Sequence, residues 1–192
     1  MNVFKLISAT LLLIPFLCSA TDCIDTLKPS TKIEGIGIYS SQFPKNSGLQ
    51  VPYKYGVQLW HSDDCYFGYL TVDAGNEGDP PYGILSFRKL PTESNIQFNS
   101  KLTLGMKYGG PNKPDIPSKD LLEFTGTIAS NQITGTFKHL DKSSNEAPTI
   151  QKVRLRFEKN SEKILDLQKK ETTYGDWKEF ADRMLKMSGP KW

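Results

Sequence analysis

Apolar and polar side chains alternate along Ile96-Gln97-Phe98-Asn99-Ser100-Lys101-Leu102-Thr103-Leu104, with the apolar groups at 96, 98, 102 and 104. A period of two sets one face of a strand in a core and the other in water. Val153 to Phe157 repeats the alternation, and Ile33 to Tyr39 and Tyr82 to Leu90 are further strand candidates bounded by Pro, Gly and Ser. Phe124-Thr125-Gly126-Thr127-Ile128 and Ile133-Thr134-Gly135-Thr136-Phe137 mirror each other about Ala129 to Gln132. Folded as a hairpin, they oppose Ile128 to Ile133, Thr127 to Thr134, Gly126 to Gly135 and Phe124 to Phe137, so each pair matches in kind. Phe, Gly and Ile then share one face. The facing glycines leave room there for an aromatic ring, or for the bend that closes a barrel.

A second hairpin runs from Tyr53 to Trp60 and from Cys65 to Val72, turning at His61-Ser62-Asp63-Asp64 with Trp60 opposite Cys65. One face collects Tyr53, Tyr55, Val57, Leu59, Tyr66, Leu70 and Val72. The other collects Trp60, Cys65, Phe67 and Tyr69. A strand pair apolar on both faces must be covered twice. The second cover is a helix over about 177–188, where Trp177, Phe180, Ala181, Met184 and Leu185 recur at helical spacing. Asp176 and Glu179 form its capping box, and Gly189-Pro190 stops it. A shorter helix over Glu162 to Lys169 is also expected.

This pattern predicts a mainly β protein, an antiparallel up-and-down barrel of about eight strands with the C-terminal helix packed outside. The order of elements resembles the calycin superfamily, the lipocalin-like and avidin-like barrels, and the Thr-Gly-Thr hairpin is similar to those of avidin-like barrels. The lipocalin Gly-x-Trp signature is missing at Gly35-Ile36-Gly37-Ile38-Tyr39. The resemblance therefore implies shape and no binding residues. The Trp-containing strand followed by an Asp-Cys-Tyr turn also resembles secreted bacterial domains of unknown function, which implies no activity.

Composition narrows the class. The 192 residues are 38% hydrophobic and 23% charged, as in one ordinary globular domain, and a net charge of +3 is too small for a protein built around many phosphate contacts. No nucleic-acid partner is expected, and a monomer is. Met1 to Lys5, the apolar run Leu6 to Cys18 and the small residues Ser19-Ala20 read as a Sec signal peptide over residues 1–20, leaving one domain over 21–192. The run is shorter than the ~20 residues of a membrane span, and neither Cys18 nor Cys23 follows a small residue as in a lipobox. A secreted or periplasmic address follows. Cys23 and Cys65 are then expected to pair as a disulfide, with two buried free thiols as the alternative.

Catalytic grammar is sparse. His61 with Asp63 and Asp64, and His139 with Asp141, are candidate acid–base pairs, though turn chemistry accounts for both clusters. No nucleophile elbow, zinc-protease helix or phosphate loop occurs, and the cysteines and histidines make no zinc template. No cofactor is expected. Asp73, Asn76, Glu77 and Asp79 form an oxygen-rich loop that departs from the EF-hand order and reads better as a polar connection than as a cation site. Tyr53, Tyr55, Tyr66 and Tyr82 would either ring a cavity for a small apolar ligand or fill the core. Lys107, Tyr108 and Lys113, in the turn-rich stretch Met106 to Asp120, would meet an acidic protein partner. Lys152, Arg154 and Arg156 read as a solvated strand edge. The reading that follows is a non-enzymatic binding protein, taking a small apolar ligand in the barrel or an envelope or extracellular protein at the loops, as inhibitor and immunity-type proteins do. The alternative is a secreted hydrolase with an unfamiliar site at His61 or His139.

Overall fold

The computed structural model describes residues 23–41, 53–73, 80–103, 106–107, 111–112, 114, 116–117, 119–159 and 172–188. A 3-10 turn, Cys23–Thr26, precedes β1 (Glu34–Ser40), β2 (Lys54–Ser62), β3 (Cys65–Asp73), β4 (Tyr82–Arg88) and β5 (Asn95–Lys101). A two-residue ladder, β6 (Met106–Lys107) with β7 (Ile116–Pro117), is inserted before β8 (Asp120–Ala129), β9 (Gln132–Asp141), β10 (Thr149–Phe157) and helix α1 (Tyr174–Ser188). Signal peptide 1–20, the expected helix over 162–169, residues 74–79 of the oxygen-rich loop, Tyr108, Lys113 and Gly189-Pro190 lie outside the described residues.

The eight long strands form one antiparallel sheet in the order β4-β3-β2-β1-β10-β9-β8-β5. Neighbours in sequence are thus neighbours in space, and the sheet curls into a nearly closed up-and-down barrel. Its two margins, β4 and β5, meet through a few directed bonds instead of a ladder. Thr103 N–H donates to the Tyr82 carbonyl at 2.8 Å, Tyr82 N–H to Thr103 Oγ1 at 3.1 Å, and Ser100 Oγ–H to the Ile84 carbonyl at 2.8 Å. A Cβ at Gly83 would fall 2.1 Å from Ser100 Oγ, so glycine is what admits that contact. A second thin joint lies between β1 and β10, which pair only at Tyr39↔Phe157 and Ser40↔Arg156 among the described residues. Gln151 spans it with its side chain, donating from Nε2 to the Tyr53 carbonyl at 3.1 Å and accepting from the Tyr55 hydroxyl at 3.4 Å. The expectation that Lys152, Arg154 and Arg156 lie on a sheet edge is corrected, because β10 sits between β9 and β1; the three side chains are exposed on its outer face.

The mirror-image hairpin has the expected register, Ile128↔Ile133, Thr127↔Thr134, Gly126↔Gly135 and Phe124↔Phe137, and the turn tightens to Ser130-Asn131 because Ala129 pairs with Gln132. The ring of Phe124 fills the gap over the facing glycines: a Cβ at Gly126 or Gly135 would lie 2.7 or 2.5 Å from its Cζ. In the other hairpin the register differs by two. Trp60 faces Phe67, and Ser62 faces Cys65. Asp63 takes a left-handed conformation (φ 51°), which lets Asp63-Asp64 make the turn alone. A shift of two preserves which side chains share a face, so the two apolar faces are as the pattern predicts.

Those faces make two cores. Tyr55, Val57, Leu59, Leu70, Val72, Leu85, Phe98, Phe124, Phe137, Val153 and Leu155 are among the buried groups of the lumen. Trp60, Cys65, Phe67 and Tyr69 pack outside it with Cys23, Ile38, Tyr174, Trp177 and Ala181. Trp177 is central, its ring 4.7 Å from Phe67, 5.5 Å from Tyr69 and 6.4 Å from Trp60. The indole N–H groups of Trp60 and Trp177 are buried with no acceptor among the described residues, enclosed by these rings. Helix α1 starts earlier than the Asp176 and Glu179 pattern suggests. Thr173 is the N-cap, its Oγ1 accepting from Asp176 N–H at 3.3 Å, while Asp176 Oδ2 accepts from Thr173 N–H at 3.2 Å. The reciprocal pair is a capping box one turn upstream. The remaining first-turn donors go to the N-terminal segment: Tyr174 N–H to Thr31 O and Gly175 N–H to Pro29 O, both 2.8 Å.

The Cys23–Cys65 disulfide is formed, with Cα atoms 5.6 Å apart and a sequence separation of 42. It holds the segment that caps α1. Replacing both cysteines by Ser is expected to cost about 4 kcal/mol in the chain-entropy account, and limited proteolysis under native conditions should then cut at α1 before the barrel. In the lumen, Gly126→Val would press on the Thr134 carbonyl, 2.3 Å from the new Cβ, and on Phe124. Backbone cannot yield as a side-chain tip can, so chemical denaturation should report a loss on the order of 3 kcal/mol.

Candidate functional site

Inward rings stack in series through the lumen. Tyr66 lies on Phe87 (5.4 Å between centroids), Phe87 on Phe98 (5.8 Å), Phe98 on Phe124 (4.9 Å), Phe124 meets Phe137 (4.8 Å), and Phe137 stacks on Tyr55 (4.2 Å). Tyr53 continues the series to Tyr55 and His139, at 6.4 and 5.4 Å. Each such pair adds about 1 kcal/mol beyond burial of its area. Among the described residues the column runs from Tyr66 to Tyr53, and a pocket opens at its Tyr66 end.

That end is built from the start of β1, the β2–β3 turn, the segment after β4 and the β8–β9 turn. They line an open pocket of about 640 Å³. Tyr39, Ile36 and Ile128 supply its apolar part, and Glu34, His61, Tyr66, Lys89, Glu93 and Ser94 are among its polar lining. His61 stacks on Tyr66 at 5.4 Å, and Lys89 Nζ stands 5.6 Å from the centre of the same ring. Tyr66 thus carries a cation and an imidazole at one pocket. His61 Nε2 lies 3.3 Å from Glu34 Oε2, and its Nδ1 3.4 Å from the Asp63 carbonyl oxygen. Below them, burial pushes the Tyr39 hydroxyl pKa up, helped by the neighbouring Tyr66.

The opposite end carries the other histidine. His139 Nε2 sits 3.2 Å from Asp120 Oδ1, and both side chains are largely covered, at 16% and 15% exposure. Tyr53 packs on the imidazole.

The four tyrosines expected to ring a cavity or to fill the core are spread over three places. Tyr66 is at the pocket, Tyr53 and Tyr55 are at the far end, and Tyr82 is outside the barrel, donating its hydroxyl to the Met184 carbonyl of α1 at 2.7 Å. Their inside or outside position follows from strand parity, since Tyr82 opposes Thr71 on the outer face of β3. Each histidine meets a carboxylate distant from it in the sequence. His61 takes Glu34 because β1 pairs with β2 at Glu34↔His61; the Asp64 carboxylate instead binds Arg88 Nη1 at 2.9 and 2.8 Å. His139 takes Asp120, an inward neighbour on β8, while Asp141 caps the following turn by accepting from Ser143 N–H at 2.8 Å. Lys107 belongs to the β6–β7 ladder by its backbone.

Glu34, Lys89, Asp120 and Gln151 escape a reading of the sequence. Glu34 is distant from His61 along the chain, and only the β1–β2 register brings them together. Among the described residues no three His, Cys, Asp or Glu side chains converge as metal ligands, and no helix is long and apolar enough to cross a membrane.

Tyr55 gives a test of the column. Its hydroxyl pKa is raised far above the ordinary 10.0, first by burial and then by the nearby Tyr53. In the unfolded chain this phenol loses its proton near 10, while in the fold it keeps it. Stability from this group is therefore full below about pH 10 and falls as the pH rises toward the folded value. Tyr55→Phe should change stability at neutral pH by about 1 kcal/mol or less, and should flatten the alkaline decline measured by denaturant titration.

Comparison with protein-family models, with curated proteins and with solved structures finds no match to this chain.

Proposed function

We propose that this is an exported, non-enzymatic binding protein that takes a small amphiphilic ligand at the Tyr66 end of the barrel. The observation that carries the reading is the pocket at the end of the ring column, whose lining joins Ile36, Tyr39 and Ile128 to Glu34, His61, Lys89 and Ser94. Its volume of about 640 Å³ is within the ~300–1,000 Å³ typical of small-molecule sites. Lys89, placed over the Tyr66 ring, is the natural contact for an anionic head group. The disulfide supports an oxidising compartment, and the apolar Leu6 to Cys18 run supports export. A binding role fits His61 better than catalysis does, because its ring nitrogens face the Glu34 carboxylate and a backbone carbonyl. A hydrolase reading would rest on His139 with Asp120, whose imidazole is oriented by a carboxylate but packed beneath Tyr53.

The test is a set of fragments that each join one ring to one carboxylate, followed by proton–nitrogen NMR on the purified protein. Shifts should cluster at His61, Tyr66, Lys89 and Ser94, and Lys89→Ala should weaken binding at least fivefold while leaving the melting temperature within about 2 °C. Shifts at the His139 end, or binding indifferent to Lys89→Ala, would defeat the proposal. Loss of an ester-hydrolysing activity in His139→Ala would favour the hydrolase.

A further inference from the structure

The outer faces of the two barrel halves differ in kind. Helix α1 and the N-terminal segment cover the outer side of β2 and β3. On the other half, β5, β8, β9 and β10 turn outward a largely polar array, with Leu121, Leu140 and Ile150 at one end of it. One cross-strand row reads Asn95, Thr127, Thr134, Arg154, and the next reads Gln97, Thr125, Thr136, Lys152. Arg156 extends the β10 side beside Gln132. Lys152, Arg154 and Arg156 are exposed and make no ion pair among the described residues. The single carboxylate among the outward positions of these four strands is Glu123, and Lys138 holds it at 2.9 Å. Glu158 lies at the end of the row, where its N–H bonds Ile38 O on β1.

We infer that this face docks a linear acidic polysaccharide. Alternate positions of a strand are about 7 Å apart, so β10 presents three cations in file, ready for a chain polymer with repeating anionic groups. The adjacent rows supply Thr hydroxyls and Asn and Gln carboxamides, each both donor and acceptor. Such a mixture matches sugar hydroxyls, whereas a phosphate backbone accepts only. The outward positions of the four strands hold no aromatic ring, and single-stranded nucleic acids are gripped largely by stacking on such rings. Charge complementarity together with the hydroxyl and amide array therefore favours an acidic glycan. This inference stands apart from the pocket at the Tyr66 end and does not depend on it.

The experiment measures binding of the purified protein to heparin and to polygalacturonate, with dextran and oligo(dT) for comparison. Binding to the two acidic polysaccharides, little to dextran and weaker binding to oligo(dT) are expected. K152Q/R154Q/R156Q should abolish most of the retention and lower the slope of log affinity against log salt by about two, as three lost contacts at ~0.7 each would. K28Q/K32Q/K186Q removes the same charge elsewhere and should bind nearly as the parent does. T134A/T136A, which keeps every charge, should weaken polygalacturonate more than oligo(dT). Failure of the parent to bind either acidic glycan, equal losses in the two triple variants, or oligo(dT) binding as tight as heparin would overturn the inference. Lys89→Ala should leave glycan binding unchanged, so this test and that of the pocket fail separately.

Discussion

The β2–β3 hairpin is apolar on both faces, and the rest of the molecule is arranged around satisfying it. Its inner side chains, Tyr55, Val57, Leu59, Leu70 and Val72, require a curled sheet to enclose them. Its outer ones, Trp60, Phe67 and Tyr69, require a second layer, and α1 with the N-terminal segment provides it. Large rings left in water on either side would forfeit roughly 1.5–3 kcal/mol apiece, enough in sum to exceed the margin by which a domain of this size stays folded. The disulfide acts on that same requirement. It ties Cys23 to the first residue of β3, so the segment that accepts the first-turn N–H groups of α1 is fixed beside the face that α1 must cover.

Much of this was legible in the order of residues because strand parity is strict. Once the palindrome from Phe124 to Phe137 is seen, its register and buried face follow, and even the ring over the facing glycines is foreseeable. The other hairpin was readable in its faces but not in its register, since alternation is blind to a shift of two and the local preference of Asp63 for a left-handed turn decided it. The helix begins three residues before the Asp176 and Glu179 pattern suggests, for a similar reason. Asp176 is a plausible N-cap when viewed alone, and the Thr31 and Pro29 carbonyls that draw the first turn back to Tyr174 are distant in sequence.

The candidate site was less legible. His61 draws notice as a candidate base and Tyr66 as an aromatic wall, and their shared pocket depends on strand ends meeting at one rim. Composition could not show that Glu34 faces His61 or that Lys89 stands over Tyr66, since each contact joins elements that only the sheet order brings together. The number of tyrosines says nothing of the end of the barrel each one reaches, which is why residues alike in type lie in three places.

The two thin joints, at β4 against β5 and at β1 against β10, divide the barrel into a pair of four-stranded leaves. One leaf carries the cystine and the helix and is stiffened from behind, whereas no element among the described residues backs the other. Amide protons along the seams are held by a handful of side-chain and isolated backbone bonds, so opening there need not disturb either leaf. The two seams are thereby the least braced lines of the barrel, the places where local opening costs least.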